Sequence, residues 1–445
     1  MNVSKARRIS FVAFLFFAAL AMPAAVAQQG VRQIREFRGQ TMGTTYMVKV
    51  AGHDEVGDDE IRLSIDAELR QVNDEMSTYL KTSEISQFNA GQSMDWFSVS
   101  PAFATVVQQA LEISADTDGA FDVTVAPLVN AWSFGPGDRT QQVPDPQKIK
   151  DLRKRVGFRH LKVRMEPPAI RKDLAGLQLD LSSIAKGHGV DRVIDRLKGL
   201  SITNVFVEIG GEVRTVGDKP GGAWKVGIQV PDAAQNTVLL AHPMLKNESA
   251  GNAMATSGDY RNYFVVDGKR YSHTIDPRTG APVEHSLASA TVIAPNCMLA
   301  DAWATALCVV GPKQAKSLAE QNGLSILIAE RQGDSGFALY GSGALESYAT
   351  TALRGNEEAS TDWSALFPIM LVTFGIFSIL LFAMAVGVVA NGKQISGSCG
   401  GIASKTNEDG STSCSLCSNP STACKELRDR MQTSSKSDAQ DSVAS

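Results

Sequence analysis

Asp301 and Thr305 stand four residues apart in Leu299-Ala300-Asp301-Ala302-Trp303-Ala304-Thr305-Ala306. On a helix that spacing puts a carboxylate and a hydroxyl on one face. The surrounding residues are small and apolar, so two readings are open. The pair can form a helix-internal hydrogen bond, or it can supply oxygen ligands to a hard cation such as Mg2+, which takes few protein ligands and leaves positions for substrate phosphates. A second candidate is Leu179-Asp180-Leu181-Ser182-Ser183-Ile184-Ala185-Lys186-Gly187, a short strand running into a helix start. Ser182 or Ser183 can cap that helix, and its free N–H groups with Lys186 would seat a phosphate. An ordinary strand–helix junction with a surface lysine would look the same. His273, in a loop dense in polar groups, is either a general base near neutral pH or a structural histidine. Gly210-Gly211-Glu212 ends a strand with backbone freedom that would admit a flat ligand, or is a plain turn. Far downstream, Cys399, Cys414, Cys417 and Cys424 follow the spacing C-x14-C-x2-C-x6-C. Such thiols can hold Zn2+ or iron as thiolates, or stay unpaired and inert.

The elements that must position these residues follow from periodicity. Apolar residues at Ile61, Ile65, Leu69, Val72 and Met76 predict a helix over residues 59–79, and Phe103, Val106, Val107, Ala110, Leu111 and Ile113 predict another over 101–117. Val190, Val193, Ile194 and Leu197 mark the apolar side of a helix after Lys186, and residues 299–310 carry a further one. Strands are expected at residues 46–50, 178–181, 205–209, 224–230 and 263–266, and Gly119-Ala120-Phe121-Asp122 looks like a turn into Val123-Thr124-Val125. Strands and helices mix without strict βαβ alternation, which predicts an α+β body rather than a doubly wound sheet.

The two ends of the chain suggest a membrane. Lys5, Arg7 and Arg8, an apolar stretch over residues 9–22 and Ala25-Val26-Ala27 have the layout of a cleaved signal peptide over residues 1–27, with a retained membrane anchor as the alternative. No cysteine follows the small residues, which excludes lipid attachment there. Residues 28–350 then form the exported body and residues 351–362 a polar linker. Residues 363–390 hold an uncharged apolar run (366–390) long enough to span a bilayer, a helix buried in a soluble core being the alternative. Lys393 and Lys405 beyond it put the tail, residues 391–445, in the cytoplasm. The formal net charge is −4 and no basic stripe stands out, which argues against a nucleic-acid partner. The body's two cysteines, Cys297 and Cys308, lie in apolar surroundings and read as buried free thiols rather than a disulfide.

Taken in order, the motifs resemble the FAD:protein FMN transferase (ApbE) family. The match rests on Thr41-Met42-Gly43-Thr44, Met76-Ser77-Thr78-Tyr79, Gly119-Ala120-Phe121-Asp122, Asp180 through Lys186, Val207-Glu208-Ile209-Gly210-Gly211, Thr256-Ser257-Gly258-Asp259, His273 through Gly280, and Asp301 through Thr305. The resemblance implies an ApbE-like fold and transfer of FMN from FAD to a Thr or Ser hydroxyl of a target protein, with release of AMP. It implies a flavin site at Met42, Tyr79, Ala120, Phe121, Asp122, Asp180, Lys186 and Thr274. It also implies Mg2+ at Ser183, Asp301, Ala304 (through its carbonyl) and Thr305, with His273 and Asp301 catalytic. A flavin carrier and an FAD pyrophosphatase remain open as alternatives. The span followed by Ser398-Cys399-Gly400-Gly401-Ile402 and three more cysteines resembles NqrM, a maturation factor of the sodium-pumping NADH:quinone reductase. That second resemblance implies flavin-acceptor subunits of the reductase, or of a related redox complex, as partners. It places the transferase in the periplasm, anchored in the inner membrane of a bacterium, with iron or zinc on the tail cysteines.

Overall fold

The structure is a computed structural model. It describes residues 33–349, apart from 53–54, 138–139, 230, 232–237, 245–251 and 334–335, and beyond them residues 374, 377, 405–406 and 412–413. The chain separates into two units, Met1–Ala359 and Ser360–Ser445.

Eight strands of the first unit form one sheet: β1 (Ile34–Thr41), β2 (Thr44–Ala51), β3 (Val205–Ile209), β4 (Glu212–Val216), β5 (Ala253–Gly258), β6 (Leu287–Ala294), β7 (Ser325–Arg331) and β8 (Phe337–Gly341). Their spatial order is their chain order, and every pairing is antiparallel. The α+β expectation therefore holds. Alternation decides which side chains face which layer. Val205, Val207 and Ile209 of β3 join Val48 and Val50 of β2 under the helices, whereas Phe206 joins Val213, Met254, Ile293 and Leu327 on the opposite face. Trp224, Val226 and Ile228 cover that second face. All eight residues of β6 are buried, as a strand covered on both faces requires.

The helical layer comprises α1 (Asp58–Met76), α2 (Pro101–Asp116), α3 (Ala185–Gly199), α4 (Cys297–Val310) and α5 (Pro312–Gln321). Helix α4 is apolar on nearly every side and lies in the middle, with β5 and β6 beneath it and α2, α3 and α5 around it. Cys297 and Cys308 on this helix are free and buried, as expected.

Three local expectations need correction. The helix expected over 59–79 stops at Met76, because Ser77 turns extended and its carbonyl accepts the hydroxyls of Ser83 (2.6 Å) and Ser86 (3.3 Å). No strand forms at 178–181, where Gln178 makes a single bridge to Val125. The side chain of Asn89 takes both the N–H (2.7 Å) and the carbonyl (2.8 Å) of Leu179, so this backbone is satisfied by a loop instead of a ladder. Helix α3 starts at Ile184 as N-cap with no side-chain cap, so neither Ser182 nor Ser183 plays that part.

In the second unit, residues 405–406 pair antiparallel with 412–413. Residues 1–27, the linker at 351–362, the apolar run at 363–390 and the four tail cysteines lie outside the described residues, save Phe374 and Phe377, which are helical. No helix among the described residues is long and apolar enough to cross a membrane.

Candidate active site

The N-terminal turns of α3 and α4 meet in backbone contact. A β-carbon at Gly187 would lie 2.2 Å from the Cys297 carbonyl oxygen, so only glycine permits this approach. The cap that α3 lacks comes from α4: Asp301 Oδ2 accepts the Gly187 N–H at 3.0 Å. Asp301 Oδ1 lies 3.4 Å from Lys186 Nζ, and Glu212 Oε1, projecting from β4 towards the helices, lies 3.2 Å from the same nitrogen. Burial alone would lower the Lys186 pKa, but the Asp301 and Glu212 carboxylates outweigh it and hold the ammonium charged. Burial pushes the Glu212 carboxyl up, partly offset by Lys186 and reinforced by Asp301. One turn along α4, Thr305 Oγ1 sits 3.1 Å from Ser257 Oγ of β5.

Two of the expected Mg2+ ligands, Asp301 and Thr305, stand together here on α4. Asp301, Thr305, Ser183 and the Ala304 carbonyl offer only hard oxygens, and buried Glu212 Oε2 has no hydrogen-bond partner among the described residues. No trio of His, Cys, Asp and Glu side chains suited to a metal gathers among the described residues. A cation at this place would thus depend on hydroxyl, carbonyl and substrate phosphate oxygens. Asp301 and Thr305 do share the face of α4 that spacing predicted, while Ala304 is fully buried.

His273 is half-buried, with Nδ1 3.0 Å from the Asn262 carbonyl oxygen and its ring edge-on to Phe134. Donation from Nδ1–H fixes the tautomer that leaves Nε2 with its lone pair. Burial lowers its pKa, the Asn262 hydrogen bond opposes this, and the charge of Lys186 lowers it further. The histidine is therefore within electrostatic reach of the Lys186 centre.

Met42 and Gly43 form the two-residue turn between β1 and β2, both at positive φ (49° and 73°). Positive φ at a methionine is uncommon strain of the kind that collects at functional positions, and its methyl group rests over Gly189 of α3. Asp180 accepts the Ser182 N–H at 2.8 Å and donates its own N–H to the Val123 carbonyl, tying the 120–125 loop to the entrance of α3. Asp122 is buried and shapes that loop: Oδ1 accepts from Thr124 N and Oγ1, and Oδ2 from Phe158 N. Burial pushes its pKa up against these bonds. The Ala120 and Phe121 side chains are core (1 % exposed each), and their N–H groups donate to the Thr117 carbonyl (3.1 Å) and the Thr117 hydroxyl (3.1 Å). Thr274 is buried, and its N–H donates to Ser272 Oγ at 3.2 Å. Tyr79 stands on an exposed loop, its N–H donating locally to Ser77 Oγ.

Sequence reasoning missed Glu212 as a site residue, and it missed Asp191, Arg214 and Lys172 entirely. Glu212 had a faint signal, an acidic residue straight after Gly210-Gly211. Lys172 is buried and donates to the carbonyls of Phe88 (3.0 Å), Gly91 (2.7 Å) and Leu177 (3.3 Å), holding the segment that leads into Asp180.

Residues 42–328 match the ApbE family. An FAD:protein FMN transferase of Vibrio cholerae is 43 % identical over 312 residues, spanning 70 % of this chain and 91 % of its own. The FAD:protein FMN transferase of Escherichia coli is 37 % identical over 338 residues, 75 % of this chain and 95 % of its own. Among solved structures, the flavin transferase ApbE from Vibrio cholerae matches with a TM-score of 0.64 at 39 % identity, covering 71 % of this chain and 99 % of that one.

Proposed function

The chain belongs to the ApbE family and is an FAD:protein FMN transferase, and from that premise we propose that its transfer is Mg2+-dependent and centred on Lys186, Asp301 and Thr305. The observation that carries this reading is the Lys186 ammonium set between Asp301 and Glu212 where two helix N-termini converge. Helix N-termini carry partial positive charge, which favours phosphate there. The acceptor hydroxyl oxygen attacks the phosphorus on the flavin side of the pyrophosphate. The bond from that phosphorus to the bridging oxygen breaks, and AMP leaves with the bridging oxygen. The hydroxyl proton passes to His273 Nε2, which its tautomer leaves free to accept it. Lys186 and the helix ends neutralise charge that grows on the phosphoryl oxygens. Bound Mg2+ would add Lewis-acid charge neutralisation on the pyrophosphate, held by Asp301, Thr305, Ser183 and the Ala304 carbonyl. The test is mass spectrometry of an acceptor protein after incubation with FAD and Mg2+. We predict that Asp301→Ala lowers FMN attachment at least about a hundredfold with the fold retained. Wild-type rates in that variant at limiting Mg2+ would overturn the metal assignment. FMN appearing free in solution would instead mark a pyrophosphatase.

The second part of the proposal concerns place and client. Residues 28–362 would lie in the periplasm and residues 391–445 in the cytoplasm of a bacterium, joined through the inner membrane. The client would be the flavin-carrying part of a sodium-pumping NADH:quinone reductase or a related complex. The support is the sequence: an export signal, a later uncharged apolar run with lysines beyond it, and an NqrM-like cysteine tail.

A further inference from the structure

Each of the two helices that meet at the reacting centre caps the other. Asp301 of α4 takes the Gly187 N–H of α3 at 3.0 Å. In return Asp191 of α3 accepts the first two N–H groups of α4: Cys297 on Oδ1 and Met298 on Oδ2, each at 2.9 Å. Arg214 of β4 donates to Asp191 Oδ1 at 2.8 Å, two residues from Glu212 on the same strand. Asp191 is buried, and both of its oxygens are taken by these three donors. Its described contacts include neither Lys186 nor Asp301.

We propose that Asp191 is a positioning residue for FMN transfer, clamping the first turn of α4 onto α3 and anchoring both to the sheet through Arg214. The proposal rests on the transferase reading of the Lys186 centre. Asp301 follows Cys297 by four residues on a continuous helix, so a displacement at the clamp is carried to its carboxylate almost undiminished. Phosphoryl transfer depends on alignment, and a misplacement of about 1 Å can cost about a hundredfold in rate. The Gly187–Cys297 contact bars the helices from closing further. Asp191 bars them from drifting apart.

A purely structural ion pair would affect stability and leave the chemistry of each folded molecule unchanged. Two variants of the full chain separate these cases. Asp191→Asn keeps the shape but places an amide N–H2 against N–H donors. The double variant Asp191→Leu, Arg214→Met removes both members of the Asp191–Arg214 pair, an exchange cores often tolerate. The expected result in folded protein, checked by circular dichroism and melting temperature, is a kcat for FMN transfer reduced at least about tenfold, with KM for FAD within about threefold. Mg2+ affinity, read by calorimetry without acceptor, should fall about tenfold as Asp301 shifts. A lowered melting temperature with wild-type kcat and wild-type Mg2+ affinity would overturn the proposal. Wild-type protein assayed in parallel reports on the transferase reading itself, since its failure to attach FMN would count against that reading and not against the clamp.

Discussion

At the scale of single residues, His273 is the group whose protonation state the proposed reaction must use. Its Nδ1 is committed to the Asn262 carbonyl and burial lowers its pKa from the ordinary 6.5. The imidazole is then already neutral at pH 7 and able to accept a proton. The transfer rate should be flat above about pH 7 and fall on acidification, with a midpoint below 6.5. His273→Gln should lower the plateau by about 10²–10⁴ and remove the acid limb. An unchanged acid limb in the glutamine variant would assign it to another group. Of the centre, Asp301, Thr305 and Lys186 were legible because their geometry is local: helix spacing for two, a helix start for the third. Glu212 and Asp191 were not, because their partners come from strand pairing and helix packing far apart in sequence. The cap of α3 shows the same limit. Ser182 and Ser183 are the neighbours that sequence would choose, yet the oxygen that takes the Gly187 N–H belongs to Asp301, 114 positions away.

At the scale of elements, α3 carries the site and also a titratable liability. His188 is 8 % exposed and its Nε2 has no hydrogen-bond partner among the described residues. Burial, with the nearby Arg192 charge, lowers its pKa from 6.5 to about 4. Between those values the unfolded chain binds a proton that the folded chain refuses. Stability contributed by neutral His188 is complete above pH 6.5 and is lost as pH falls towards 4. From pH 7 to pH 5 that loss comes to about 2 kcal/mol. Urea denaturation at the two pH values should show it in wild type, and His188→Gln should flatten the pH dependence by about that amount. Equal pH dependence in both proteins would show that His188 is not the group responsible. The long helices α1 to α3 were legible in the sequence, since apolar spacing over 15 or more residues leaves little ambiguity, whereas the ten-residue α5 was not expected. The strand expected at 178–181 failed for the opposite reason: four residues of alternation cannot reveal that Asn89 claims both backbone groups of Leu179.

At the scale of the whole molecule, the helices, the Lys186 centre and the middle of the sheet belong to the stretch that matches the ApbE family, residues 42–328, while β1 precedes that stretch and β8 completes the sheet beyond it at Gly341. The FAD:protein FMN transferase of Vibrio cholerae is matched over 91 % of its own length by 70 % of this chain. The cysteines at 399, 414, 417 and 424 therefore call for a separate purpose. If the tail faces the cytoplasm its thiols stay reduced, which disfavours a disulfide framework, and as thiolates they bind soft or borderline metals. Zn2+ would close a tetrahedral structural site with all four. Iron, held or passed on, would suit an assembly step for an iron-containing client. The variant that decides is Cys399→Ser in the full-length chain, with three readouts in cells that make the reductase: FMN attached to the client, iron in the client, and metal bound to the purified protein. Two independent modules require FMN attachment to persist within about twofold, because no residue of the transfer centre lies beyond residue 305. They require client iron to fall. Iron on the wild-type protein that the variant lacks would identify the cargo, and zinc in its place would make the tail a structural knot. Loss of FMN attachment along with client iron would mean that the tail serves the transfer reaction itself, and normal client assembly would remove the case for a maturation module.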